Sequence, residues 1–558
     1  GGGPTREDLE RQRRLAYGVL GLPKTKVVGL HEALDVVEGN FRKACAELRR
    51  TPKWHGELYF EFHRGTLTGV PRVKKNNRMA EVALGNAEAM SVAANKLCGV
   101  TYPKETIERN WKTALLNQFH DILPGSAVEE VYADSDKQYA ELFVEVGGVA
   151  QKALQALAEN IGAGGKNVVF NNTPLAANGT VTIDGKTRIV RDIPSHGYKV
   201  VDVDGANESG AEQVSVNGNM LQNSYYVLTF SRNGSIESLL DKRNNRQIVP
   251  DGQRLNEFVA YEDLPYEYDN WEMTPYHKQK FCVLNDAAEF SVVENGDRKG
   301  FAIVKTYGKS TITQHVWLYA DGNDRIDFDT DVDWQEKGQL LKVRFPLDVM
   351  CDNARYDVQF GSVLRSTHDN TSWDSARFES VAHKWVDMSE GNYGVALLNN
   401  GKYGFGTEDN VLTMTVLKSG SFPYDGASDV VPNFTYSLLP HAKDYTNGVI
   451  SAAYVLNNPF TVAKGGNGQL AQEYSLVSTN DGGVVCETVK QAEEGSGMVV
   501  RVYEANGARH NATITFGLQV KQAYLCDLNE NEIEQLQTDG NDVHVTVKPF
   551  EILTIKVL

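Results

Sequence analysis

Apolar residues recur at helical spacing through the first third of the chain and at alternating spacing after it. Near the start, "REDLERQRRLAYGVL" mixes charged and apolar residues and predicts a helix closed by Gly21 and Pro23. "KTKVVGL" predicts a short buried strand, and "HEALDVVEGNFRKACAELRR" a helix after it. A strand feeding a helix suggests the tail of an α/β layer. Val73, Met79, Val82, Ala83, Ala87, Met90, Ala94 and Leu97 then mark one face of a helix over residues 72–97. A second helix is expected from about Lys104 to Phe119, with Trp111, Leu115, Phe119 and Ile122 as its inner stripe. The third is long, from Val128 through Tyr132, Tyr139, Leu142, Val146 and Leu157 to Ile161. Three amphipathic helices in succession predict a bundle, ended by Gly162-Ala163-Gly164-Gly165.

From about Lys166 onward the pattern is that of β-structure. "YYVLTFSRNGSIESLLDK" has two alternating runs around Asn233-Gly234, which predicts a hairpin. In "RIDFDTDVDW", Ile326, Phe328, Thr330, Val332 and Trp334 alternate with four aspartates. A calcium loop would need Gly at its sixth position, so a strand with a solvated acidic face is expected instead. The whole reads as a multidomain α+β protein: the tail of an α/β catalytic domain, a three-helix bundle, then stacked antiparallel β-sandwich domains. The expected boundaries are 1–71 for the α/β remnant, 72–165 for the bundle and 166–220 for a small β domain. A large β-sandwich follows over 221–470 and a C-terminal β domain over 471–558.

Composition narrows the function classes. Hydrophobic residues at 41% and charged residues at 23% describe a globular chain of 558 residues. A net charge of -17 argues against a nucleic-acid partner. No long apolar run predicts a membrane span. Cys45, Cys98, Cys282, Cys351, Cys486 and Cys526 are widely spaced, which reads as reduced thiols and favours a cytoplasmic location. The opening Gly1-Gly2-Gly3-Pro4-Thr5 carries no initiator Met and no signal peptide, as expected of an expression scar or of a chain starting mid-domain.

Two clusters carry candidate chemistry. In "LLNQFHDILPGSAVEE", Pro124 stops the second helix, and Ser126 with Glu129 has the spacing of a capping box for the third. His120 and Asp121 therefore sit at an inter-helix corner. An imidazole there is a candidate zinc ligand with a carboxylate to orient it, yet one His cannot make a zinc site. A lone His at such a place is more often simply favourable at a helix C-terminus, or a satisfied core residue. In "KWHGELYFEFHRGTLTG", Leu58, Phe60 and Phe62 alternate with Glu57, Tyr59 and Glu61 before His63 and Arg64 enter a loop. Aromatic faces with carboxylate and guanidinium groups suit a sugar, and an edge strand with ordinary surface charges fits equally well.

Together and in this order, the clusters resemble glycoside hydrolase family 38, the class II α-mannosidases, in the bacterial and cytosolic branch. "GGGPTRE", "GELYFEFHRGT" and "NQFHDILPGS" are similar to its motifs, as are "QFGSVLRSTHDNTSWDSARFES", "AHKWVDMSEGNYGVALLNNGKYGF", "FTYSLLPH" and the terminal "KPFEILTIKVL". The likeness runs almost end to end. Ser366, Asn270 and "SGSFPYDGASDVVPN" depart from the family pattern and are expected to bear on loop shape more than on activity.

The resemblance implies retaining hydrolysis of terminal α-mannosides by two carboxylates, with a zinc ion gripping sugar hydroxyls. Cobalt suits the same donors. Carried over residue by residue, His120 is a metal ligand and Asp121 a contact to sugar hydroxyls. Trp54, Glu57, Tyr59, His63 and Arg64 line the pocket. The resemblance puts the nucleophile, the acid/base and the other metal ligands upstream of Gly1, so this chain alone is expected to be inactive. The partners expected are an α-mannoside or oligosaccharide, and a further copy of the chain or a missing N-terminal part. A non-catalytic carbohydrate-binding or scaffold protein and one subunit of a processed mannosidase are the competing readings.

Overall fold

The structure, a computed structural model, describes residues 3–58, 62–202, 213–425, 430–495 and 497–558. Residues 1–60 form one compact unit and residues 61–558 another. In the first, α1 (Arg6–Tyr17) opens on a capping box in which Asp8 N donates to Thr5 Oγ1 and Thr5 N donates to Asp8 Oδ2. α2 (Leu30–Leu48) follows, and neither helix buries a residue. The strand expected at "KTKVVGL" does not form: residues 24–29 have no regular structure and are almost wholly exposed. A strand needs a partner for its backbone groups, and no strand lies among the described residues of this unit.

The second unit begins with the bundle: α3 (Pro71–Cys98), α4 (Lys104–Asn117) and α5 (Glu129–Asn160). Pro71 supplies the preset φ of a first helical residue, and Gly99, at φ 71°, ends α3 in the left-handed region. Ala80, Leu84 and Ala87 of α3 pack with Ala114 of α4 and with Tyr139, Leu142 and Val146 of α5.

The inner stripe of α4 is not the one expected. Leu115 and Phe119 are exposed, and Ile107, Asn110, Ala114 and Asn117 are buried. The helix is rotated because its two asparagines find partners on α5. Asn110 Nδ2 donates to Glu145 Oε2 at 2.7 Å, and Asn117 Nδ2 to Gln138 Oε1 at 2.8 Å. A buried amide with a partner is tolerated where hydropathy alone would place an apolar side chain.

The β-structure is stacked sheets. A nine-stranded and a six-stranded sheet, contributed by residues 257–442, enclose the largest core, which includes Phe258, Phe328, Phe345 and Tyr436. The Asn233-Gly234 hairpin forms, joining antiparallel strands Tyr226–Phe230 and Ile236–Asp241, with Gly234 at φ 81°. In the aspartate strand Ile326–Asp333 the apolar residues are inside, as expected, but the acidic face is not uniformly solvated. Asp327 is buried, paired with Arg325 at 2.9 Å and accepting from Tyr319 Oη and Ser437 Oγ. Arg325 beside it holds its carboxyl below the usual range against the opposing effect of burial.

The small β domain is assembled from both sides of the large one. Strand Asn167–Asn171 pairs with Gly197–Val201 and also with Thr461–Lys464, and Glu473–Ser475 adds to the edge. Residues 461–475 thus complete a sheet begun near 167, across the expected boundary at 470, because the edge of that strand needs a partner. The C-terminal residues form a four-stranded and a five-stranded sheet, whose core also takes in Ala89 and Val92 of α3.

Candidate active site

The chain from α4 to α5 makes a compact corner. Leu123 N donates to Phe119 O, Gly125 N to Ile122 O, and Ser126 N to Asp121 O. Ser126 does not cap α5, which starts after Val128 with no side-chain cap. Its hydroxyl donates instead to Asp121 Oδ1 at 3.0 Å. A Ser side chain bonds whichever nearby group the turn presents, and here the turn presents the aspartate. The His120 side chain is 76% exposed, lies 3.9 Å from Asp121 Oδ2, and its ring sits 4.3 Å from that of Phe119. Beneath the corner Tyr132 is fully buried, accepts from Ala127 N, and meets Tyr424 edge-on at 5.0 Å. Arg72 lies over both rings and bonds Asp136 at 3.0 Å.

The other cluster comes from a turn. His63 takes a left-handed backbone, φ 66°, and begins a short 3-10 helix over Arg64–Leu67. Its Nδ1 is 2.7 Å from Glu272 Oε1. Arg64 is buried with its guanidinium 5.4 Å over the Phe378 ring, so it belongs to the packing under the turn and not to an open wall. Trp54 and Glu57 belong to the first unit, where Trp54 Nε1 donates to Glu57 O at 3.0 Å. Tyr59, with Phe60 and Glu61 of the expected strand, lies outside the described residues.

The segment that follows the His63 turn and the corner that carries His120 and Asp121 are joined by two glycines and a lysine. A Cβ on Gly125 would lie 2.5 Å from the carbonyl carbon and oxygen of Gly69. Lys74 Nζ donates to Gly69 O at 2.5 Å, to Leu123 O at 2.9 Å and to Pro124 O at 3.1 Å. Burial pushes this lysine down to about 7. Its three carbonyl acceptors work the other way, since only the ammonium has three N–H groups to give.

A second wall was not legible in the sequence. Gly65 N donates to Trp271 O at 2.9 Å, and a Cβ at Gly65 would be 2.9 Å from Glu272 O. That loop is tied to residues 421–424: Asp269 accepts from Ser421 N and Phe422 N, and Asn270 Nδ2 donates to Tyr424 O. Tyr268, half exposed, meets Trp271 edge-on at 5.7 Å and Phe422 at 6.1 Å. Asn270, expected to bear on loop shape more than on activity, therefore adjoins the His63 turn, and Ser421–Tyr424 are tied to it. A left-handed Tyr268, φ 53°, is one consequence that no local pattern announces.

Chemically, the corner offers an exposed imidazole and a carboxylate held by a hydroxyl, and the neighbouring turn a His-Glu pair. Among the described residues no group of three or more His, Cys, Asp or Glu side chains could hold a metal ion. His120 and Asp121 supply at most two of the four donors of a zinc site, so these residues alone do not fit a resident zinc.

Comparison with known proteins gives a consistent answer along the chain. Residues 61–157 match the alpha mannosidase middle domain, 221–425 the glycosyl hydrolases family 38 C-terminal domain, and 483–555 the family's C-terminal beta sandwich domain. Alpha-mannosidase 2C1 of Homo sapiens is 31% identical over the whole chain, which covers 54% of that protein. Alpha-mannosidase G of Dictyostelium discoideum is 27% identical, again over the whole chain, covering 57%. The chain thus spans about half the length of the curated relatives it matches. The crystal structure of an alpha-mannosidase from Enterococcus faecalis V583 superposes with a TM-score of 0.78 over 93% of this chain and 72% of that one, at 17% identity, and shows the same fold. With middle, C-terminal and sandwich domains all matched in order, the chain belongs to glycoside hydrolase family 38.

Proposed function

We propose that this chain forms part of an α-mannosidase that hydrolyses terminal α-D-mannosides with retention of configuration. The observation that carries the reading is the junction of the chain after the His63 turn, at Gly69, with the His120-Asp121 corner through Gly125 and Lys74, inside the segment that matches an α-mannosidase middle domain. In this reading Asp121, held by Ser126, accepts hydrogen bonds from sugar hydroxyls. His63, oriented by Glu272, faces the same substrate. His120 is one donor to a divalent metal, zinc or cobalt, whose other donors are not among the described residues. A metal there would polarise sugar hydroxyls. The six free thiols support a reducing compartment, the cytoplasm.

The nucleophile and acid/base of a retaining glycosidase are two carboxylates about 5 Å apart, and no residue of this chain is assigned to either role. The chain by itself is therefore expected to be inactive. Turnover of an aryl α-mannoside tests this in two proteins, this chain and any longer polypeptide from its source that carries it. The expected result is no turnover by the chain, and turnover by the longer form that falls by about a thousandfold or more in His120→Ala. Activity of the longer form untouched by His120→Ala and Asp121→Asn would overturn the assignment.

A further inference from the structure

A cavity of about 660 Å³ lies between α3 and α4 and the segments around residues 359–360, 383–384, 454–458 and 487–493. None of His63, Arg64, His120 or Asp121 lines it. Its volume is that of a small-molecule site and far above that of a hydration void.

Its lining is polar yet electrically balanced, with five carboxylates and five Lys or Arg side chains. Most are already engaged. Lys104 lies 3.4 Å from Glu493, and Lys384 lies 3.5 Å from Asp357 and over the Tyr454 ring. Arg78 Nη1 donates to Asn457 Oδ1 at 2.7 Å, and Glu487 accepts from the Tyr454 hydroxyl. The two histidines at the wall are neutral, burial pushing His383 down to about 2 and lowering His196 as well. The carboxylates of such a site do not outnumber its cations, so it has no excess of negative groups with which to draw a cation.

What it offers is amides and rings. Asn86 and Asn458 bond each other reciprocally at 2.8 Å, which uses one N–H of the Asn86 amide and leaves it the other. Trp111 lines the wall beside Glu88 and packs against the α3–α5 core. Phe360 is held at φ 53°, a left-handed conformation that a bulky residue adopts only under constraint, with its ring edge-on to Tyr503. Gly85 sits inside α3, where glycine disfavours a helix, yet a Cβ there would meet nothing within 4 Å. Packing does not require that glycine. Gly85 is exposed at the cavity wall, so a side chain added there meets open space.

We propose that this cavity is a second carbohydrate site, which takes a neutral oligosaccharide of about two or three sugar residues without reacting it. The sugar stacks on Trp111 and Phe360, and its hydroxyls bond the asparagine amides. Only the choice of mannose as the sugar rests on the mannosidase reading. The cavity itself does not.

Calorimetric titration of the 558-residue chain with α-linked mannotriose, and with maltotriose and cellotriose beside it, tests the proposal. Gly85→Trp adds an indole at the cavity wall, where a Cβ meets nothing within 4 Å, Trp111→Ala removes the platform, and Met350→Ala, at an exposed side chain that does not line the cavity, leaves it intact. The expected result is mannotriose binding that weakens at least about tenfold in Gly85→Trp and Trp111→Ala and is unchanged in Met350→Ala. Binding of a glucotriose alone, blocked by Gly85→Trp, would keep the cavity as a saccharide site and count against the mannoside reading. Binding indifferent to Gly85→Trp, or no binding of any trisaccharide up to about 10 mM, would overturn the proposal.

Discussion

Gly125 and Gly69 touch backbone to backbone, close enough that a methyl group on Gly125 would stand 2.5 Å from the Gly69 carbonyl. Gly125 is also at φ 87°, where L side chains are strained. Both requirements fall on one residue of the corner that carries His120 and Asp121. Gly125→Ala is therefore expected to destabilise the chain by about 2 kcal/mol or more, read as a lower urea midpoint with unchanged slope. A midpoint equal to that of the parent chain would show that the corner and the turn can part freely.

Lys74 ties the same two segments by donating to three carbonyl oxygens, one in the turn and two in the corner. Lys74→Met keeps most of the side-chain volume and removes all three donors. Stranding buried carbonyls is expected to cost about 2–4 kcal/mol. Thermal unfolding checks this, and a melting temperature within error of the parent would show that water replaces the ammonium.

Glu88 introduces a pH dependence. Burial raises its carboxyl to about 7, against the lowering effects of Lys490 and the Trp111 indole. In the unfolded chain it titrates near about 4.3. The folded state thus binds the proton more tightly, and the stability this supplies is fully present below about pH 4 and lost as pH rises through about 7. Glu88→Gln lacks the titration. The stability difference between parent and variant is expected to move by about 3 kcal/mol in favour of the variant between pH 4 and pH 8. A pH-independent difference would mean that folding leaves the Glu88 carboxyl unshifted.

Metal affinity follows from the donor count. With His120 and Asp121 as the candidate donors at the corner, and no group of three or more such side chains among the described residues, the chain is expected to bind zinc weakly, with a Kd above about 1 μM. Competition with a chromophoric chelator measures it. Sub-micromolar affinity lost in His120→Ala would require donors that the described residues do not supply.

Much of the architecture was legible because period reports on burial. The helical spacing over 72–97 and 128–161 and the Asn233-Gly234 turn correspond to α3, α5 and a real hairpin. The errors have one common source, partners distant in sequence. Asn110 and Asn117 are buried because Glu145 and Gln138 wait on α5. Asp327 is buried because Arg325, Tyr319 and Ser437 surround it. Ser126 has the spacing of a cap, yet Asp121 takes its hydroxyl.

The sequence by itself determined the family and the helix-then-sheet order, because the motifs and the hydrophobic period are local properties of the chain. Only the tertiary structure decided that Gly69 meets Gly125, that Lys74 joins His63's turn to His120's corner, that Asn270 and Phe422 adjoin that turn, and that Arg64 faces inward. Each of these is a close contact between segments dozens to hundreds of residues apart. The packing of one backbone against another sets it, and no spacing within either segment encodes it.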